Sequence, residues 1–166
     1  MQWYQYMVTS SPAESGFSLI ELMITVALIA ILVLIGTSLT GLWSKQAELD
    51  KATMSLQSAI SLARSTALRN EYPLDTDYMA SQLCFDKLEQ ELSVHRATET
   101  ESASCLTPII FTYKLSKTIE IKSGSSDFLC VSFDNFGQIS KNSGVCQTNL
   151  PLTISNGELD ETITFD

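Results

Sequence analysis

Residues 16–25 read GFSLIELMIT, the opening of a run that is nearly all apolar from Phe17 to Ile35 and is extended by Leu39, Leu42 and Trp43. About 20 such residues let an α-helix cross a bilayer, and Trp43 with Lys45 suits the headgroup boundary. The run carries one carboxylate, Glu21. A charge in hydrocarbon is costly, so Glu21 calls for a partner or a function; the bland alternative is that it snorkels to the interface from near the helix end. A cleaved secretory signal fits poorly, because no positive charge precedes the run, the run is long, and no A-x-A site follows it.

Beyond the apolar run the helical pattern continues. Leu49, Thr53, Leu56, Ile60, Ala63 and Ala67 recur at steps of four and three, a stripe apolar except for Thr53, while Lys45, Glu48, Lys51, Gln57 and Arg64 fall mostly elsewhere. The spacing predicts one long helix from about Phe17 to Arg69, its second half packed on a globular part. Gly36 and Gly41 lie between the halves, where glycine weakens a helix by about 1 kcal/mol relative to alanine; they permit bending or close helix packing. Pro73 ends the helical region.

The rest of the chain reads as a β-rich head. Asp77 to Ala97, with Leu83, Leu88 and Leu92 among polar residues, is expected to be helical, and ATETESAS (97–104) an exposed loop. Strands are expected at 109–115, 118–123, 127–133, 137–140, 150–155 and 161–165, each short, β-branched or aromatic, and bounded by turn residues. SGSSD (123–127) and DNFG (134–137) read as hairpin connections, with Asp134 starting the second.

At 166 residues the chain has room for one domain of about 100 to 150 residues plus an appended segment. Its net charge of −9 disfavours a nucleic-acid surface, since phosphate binding depends on Lys and Arg. Cys84, Cys105, Cys130 and Cys146 follow no zinc spacing, and His95 is the only histidine, so a disulfide framework in an oxidising compartment is the better reading than four buried thiols. Of the three possible pairings, Cys84 with Cys105 and Cys130 with Cys146 is favoured because each closes a short loop. Residues 1–44 hold no Lys or Arg while Lys45 and Lys51 follow; the positive-inside rule alone would place the C-terminal part in the cytoplasm. The cysteines argue for the opposite side, and the reading follows them.

Gly16-Phe17-Ser18-Leu19-Ile20-Glu21-Leu22-Met23 resembles the processing site of type IV prepilins and type II secretion pseudopilins. The resemblance implies a leader over residues 1–16, cleavage after Gly16 by a membrane prepilin peptidase, and methylation of the new amine on Phe17. It also implies that Glu21 pairs with the amine of a neighbouring subunit and guides filament assembly. Typical leaders are basic, whereas Met1 to Gly16 has no Lys or Arg and contains Glu14. Two internal segments, Leu62 to Leu68 and Val131 to Gln138, resemble the GspH/FimT family of minor pilins and pseudopilins. The implied fold is α+β and pilin-like: a long N-terminal α-helix, transmembrane in its first half, packed on an antiparallel β-sheet or β-sandwich head. The expected organisation is a leader over 1–16, a transmembrane or filament-core helix over 17–43, an amphipathic continuation over 44–70, and a disulfide-bonded periplasmic head over 71–166.

The implied function is that of a minor type IV pilin in pilus assembly or initiation, with pseudopilin H of a type II secretion system as the alternative. Its partners would be other pilin or pseudopilin subunits, the prepilin peptidase and the inner membrane, before assembly into a pilus or pseudopilus. Some FimT-type pilins bind DNA through a C-terminal basic motif; Asn156 to Asp166 is acidic and lacks Lys and Arg, so DNA uptake is the less favoured reading. No catalytic constellation is evident and no cofactor or metal is expected. His95 beside Arg96 reads as a surface residue, Asp75-Thr76-Asp77 lacks the further oxygens a calcium site needs, and Glu158, Asp160 and Glu161 read as a solvated loop.

Overall fold

The computed structural model describes residues 16–72, 78–141, 144–148 and 151–164, with the side chains of 35–39 not described. The expected leader up to Ser15, the break at Pro73 and the Asp75-Thr76-Asp77 segment lie outside the described residues. The chain has an α+β architecture, a long helix α1 (Leu19–Leu68) followed by eight strands in two antiparallel sheets. It divides into two units, 1–41 and 42–166.

In the first unit every side chain from Gly16 to Leu34 is exposed, among them Phe17, Leu19, Ile20 and Leu22. Among the described residues no helix is long and apolar enough to cross a membrane.

In the second unit α1 supplies one wall of the core. All six residues of the expected stripe are buried, and Ala52 and Ala59 join them. Four alanines, Ala52, Ala59, Ala63 and Ala67, present little side-chain bulk on this face, and Ser81 Oγ donates to the Ala63 carbonyl at 2.6 Å. Thr53, the polar member of the stripe, is buried because its hydroxyl donates to Glu161 Oε2 at 2.8 Å.

Sheet A comprises β1 (Ser81–Asp86), β2 (Glu91–Arg96), β3 (Ile109–Lys114) and β6 (Cys130–Phe133), in the order β3-β2-β1-β6. Sheet B comprises β4 (Ile119–Ser123), β5 (Ser126–Asp127), β7 (Leu152–Asn156) and β8 (Leu159–Ile163), in the order β5-β4-β7-β8. The core joins the α1 stripe to Leu83, Phe85, Leu92 and Val94 of sheet A and to Ile119, Ile121, Leu152 and Ile154 of sheet B.

The helix expected over 77–97 is instead the β1–β2 hairpin. Leu83, Leu88 and Leu92 suggested helical spacing, but Leu88 sits on the turn with its side chain 93% exposed. The decisive period is two: Leu83 and Phe85, then Leu92 and Val94, enter the core. Asp86 Oδ1 closes the turn by accepting the Leu88 and Glu89 amides at 2.8 and 3.1 Å, and Gln90 leaves it at φ 53°. Strong helix formers thus form a turn because tertiary burial outweighs weak local propensity.

The strand expected at 127–133 is divided. Its start, β5, belongs to sheet B and its end, β6, to sheet A, with Phe128 and Leu129 crossing between them. The Phe128 amide donates to the Ile121 carbonyl of sheet B at 3.0 Å, while the Leu129 carbonyl accepts the Phe85 amide of sheet A at 2.8 Å. The expected strand at 137–140 is reduced to a single bridge, Phe133 with Ile139. The loop 97–104 is exposed only in its middle: Ala97 and Ala103 are buried, and Tyr78 OH lies 2.6 Å from the carbonyls of both Thr98 and Glu101, either of which can accept its one hydrogen.

Candidate functional site

The first candidate site is the start of α1. Ser18 ends the non-helical entry: its carbonyl accepts the Leu22 amide at 3.2 Å, so Ser18 is the N-cap and Glu21 the third helical residue. The Ser18 amide donates to Glu21 Oε2 at 3.0 Å, one half of a capping box. Glu21 therefore has a partner within its own chain, and it lies where the helix dipole favours negative charge. Sequence reasoning missed this, although Ser-x-x-Glu ahead of an apolar run is its signature. The carboxylate is less isolated than the apolar run alone suggests.

Gly16 and Phe17 precede the cap. Nothing lies within 4 Å of a side chain built at Gly16, and Phe17 is 90% exposed. The Gly16–Phe17 bond thus lies outside the helix and its hydrogen-bonded turn. Gly16, Phe17 and Glu21 form one short stretch, with Thr25 Oγ1 donating to the Leu22 carbonyl at 2.9 Å in the next turn.

The cysteines form a second group, on the head. The structure pairs Cys84 with Cys105 and Cys130 with Cys146, with Cα separations of 5.9 and 4.7 Å. Cys84 and Cys130 stand opposite each other across β1 and β6, which places the two bonds side by side. Gln82 Nε2 lies 2.9 Å from Cys146 Sγ and 3.5 Å from Cys105 Sγ.

Two further readings change. His95 is buried, not on the surface: it lies on the sheet face shared with Ser93, where Nδ1 meets the Thr107 carbonyl at 2.7 Å and Nε2 meets Ser93 Oγ at 2.9 Å. Asp160 and Glu161 belong to β8 rather than a loop, because β7 and β8 pair through Asn156 and Leu159. Glu161 then meets Thr53, and Asn156 Nδ2 donates to the Lys45 carbonyl at 3.0 Å. Among the described residues no group of three or more His, Cys, Asp or Glu could hold a metal.

Residues 11–37 match the family described as the prokaryotic N-terminal methylation motif. This motif is the type IV pilin signal, and it supports a type IV pilin-like protein. It covers Gly16, Phe17, Ser18 and Glu21 together. It points to a structural subunit, made as a precursor that a prepilin peptidase processes and that assembles with other pilins. The methylation motif does not reach residues 62–68 or 131–138, on which the GspH/FimT resemblance rests. No curated protein and no solved structure matches the chain.

Proposed function

We propose that the protein is a minor type IV pilin, cut after Gly16, methylated on the Phe17 amine and incorporated into a filament at its tip or tip-to-shaft junction. The observation that carries this reading is the methylation motif over 11–37 lying on the exposed apolar start of α1. Hydrolysis of the Gly16–Phe17 bond frees an ammonium on Phe17 and leaves the Ser18 amide in place. Glu21 is then poised between its own cap and the ammonium of a neighbouring subunit. Pairing with that ammonium removes most of the penalty of a charge in an apolar bundle. The exposed apolar residues from Phe17 to Leu34 are covered first by the inner membrane and then by partner helices. Two disulfides support a head in the periplasm.

The GspH side of the internal resemblance supports a second reading, pseudopilin H of a type II secretion system, with the same processing and a different machine. The acidic C-terminal segment speaks against a DNA-uptake pilin.

Mass spectrometry of the mature N-terminus in membranes and sheared filaments tests the proposal. A chain beginning at methylated Phe17 is expected; mature protein in filaments that retains Met1 would overturn it. Deleting pilus genes or secretion genes in turn separates the two machines by which deletion leaves the processed chain unassembled.

A further inference from the structure

Strand β3 is an edge of sheet A, paired only with β2. Among the described residues its outer backbone groups make no hydrogen bond. Such a row of donors and acceptors is a template for a further strand. Ile109 and Ile110 on it are 55% and 39% exposed, and Phe111 and Tyr113 reach the core only at its margin.

Beside this edge α1 is left uncovered. A groove of about 570 Å³ runs between Phe111 and Tyr113 on one side and Asp50, Met54 and Ser58 on the other. Through Met54 and Ser58 it continues along α1 as a trough of about 730 Å³ past Ser61, Leu62 and Ser65. Met54 is 66% exposed. Sheet A therefore stops one strand short of covering the helix. A strand added about 4.8 Å outside β3 would lie over Met54, Ser58 and Leu62 and complete the layer.

The far end of this track is charged. Ile110 shares a pocket of about 410 Å³ with Thr66, Arg69 and Arg96. Both arginines are exposed, and among the described residues neither is within ion-pairing distance of a carboxylate. Glu71 and Glu99 line the same pocket without pairing with them. In a chain with 10 cationic and 19 acidic residues, two guanidiniums that have no carboxylate partner among the described residues, at the end of an open strand edge, select for a carboxylate, which arginine binds with paired charge-assisted hydrogen bonds.

We propose that the outer edge of β3 accepts an extended strand from a partner protein, apolar on its α1-facing side and carrying a carboxylate at the end that reaches Arg69 and Arg96. Backbone hydrogen bonds supply the affinity, the trough selects alternate side chains, and the arginines set direction and register. This site goes beyond the assembly reading and stands whether or not the N-terminus is processed.

The test uses the full chain in detergent micelles and fluorescein-labelled eight-residue peptides of alternating Val and Thr. One carries Asp at its N-terminal end, one Asp at its C-terminal end, one Lys in place of Asp, and one Asp-ended peptide is N-methylated on alternate amides. One Asp-ended peptide is expected to bind saturably and to slow amide exchange over 109–114. Arg69→Gln and Arg96→Gln, both at exposed positions, are expected to weaken it about tenfold each, and the N-methylated peptide is expected not to bind. Absence of binding, equal binding of the Lys-ended or N-methylated peptide, or no protection of β3 would overturn the proposal. Concentration-dependent protection of β3 without peptide would overturn it in favour of a second copy of this chain.

Discussion

Cys84 and Cys130 face each other as register partners on β1 and β6, yet each is bonded elsewhere, to Cys105 and Cys146. Opposed residues in an antiparallel pair lie about 4.5–5.5 Å apart at Cα, within the reach of a disulfide. In a Cys105→Ala variant the freed Cys84 thiolate stands against the Cys130–Cys146 bond. Attack on Cys130 would form Cys84–Cys130 and release Cys146 as a thiolate that takes up a proton, with no external oxidant. Non-reducing peptide mapping is expected to recover both Cys130–Cys146 and Cys84–Cys130. Recovery of the first alone, at a pH where thiolate forms, would show that the register does not permit exchange.

Ala63 is fully buried on α1 and its carbonyl accepts Ser81 Oγ. Leucine there would push β1 from the helix. Ala63→Leu is expected to destabilise the head by about 1–3 kcal/mol, read as a lower urea midpoint at unchanged slope. Ala47→Leu, at an exposed position on the same helix, is the control and should leave the midpoint in place.

Lys87, on the β1–β2 turn, bonds Asp127 of β5 at 2.8 Å and so ties sheet A to sheet B. The hydrogen bond from Lys87, and then its charge, hold the Asp127 carboxyl below the ordinary aspartate range, and Asp127 in turn raises Lys87. A lowered carboxyl stabilises the fold above its unfolded-state pKa, and that contribution is lost as pH falls through the lowered folded value. Both side chains are exposed, so the effect on stability is small. An NMR titration should show the Asp127 midpoint below that of ordinary aspartates, and Lys87→Met should raise it. A midpoint indifferent to Lys87→Met would mean the pair does not persist in solution.

Glu21 caps the start of α1, and we propose that its charge also guides assembly. Glutamine at position 21 keeps an oxygen that can accept the Ser18 amide, whereas alanine keeps neither oxygen nor charge. Glu21→Ala is expected to cost the first turn of α1 about 1 kcal/mol, seen as faster amide exchange at Ser18, while Glu21→Gln preserves most of that protection. Filament incorporation should fail in both variants if the charge guides assembly. Normal incorporation of Glu21→Gln would leave the cap as the whole role of this residue.

The helix and most of the later strands were legible because their signals are local. The stripe from Leu49 to Ala67 repeats at the helical period, and the β-branched runs at 109–115 and 118–123 are bounded by turn residues. What was not legible depends on partners distant in sequence. The segment DKLEQE (86–91) has helical propensity, and only the burial of Leu83, Phe85, Leu92 and Val94 against α1 makes it a turn between strands. His95 reads as a surface residue beside Arg96, until Ser93 and Thr107 are brought to its two nitrogens. At the candidate site, Gly16, Phe17 and Glu21 were legible as a motif, but the cap formed by Ser18 was overlooked although its spacing was in view.

The passage of the chain from β5 to β6 through Phe128 and Leu129 fixes what must wait for what during synthesis. β1, β2, β3 and Cys105 all precede it, so Cys84–Cys105, 21 residues apart in the chain, can close before Cys130 has emerged. The open side of β1 then stays unfilled until β6 arrives. A ribosome that stopped before Phe128 would leave sheet A without β6 and sheet B without β7 and β8. The head cannot be finished one sheet at a time, and a stalled or truncated chain would display the β1 edge to every chaperone and protease that it meets.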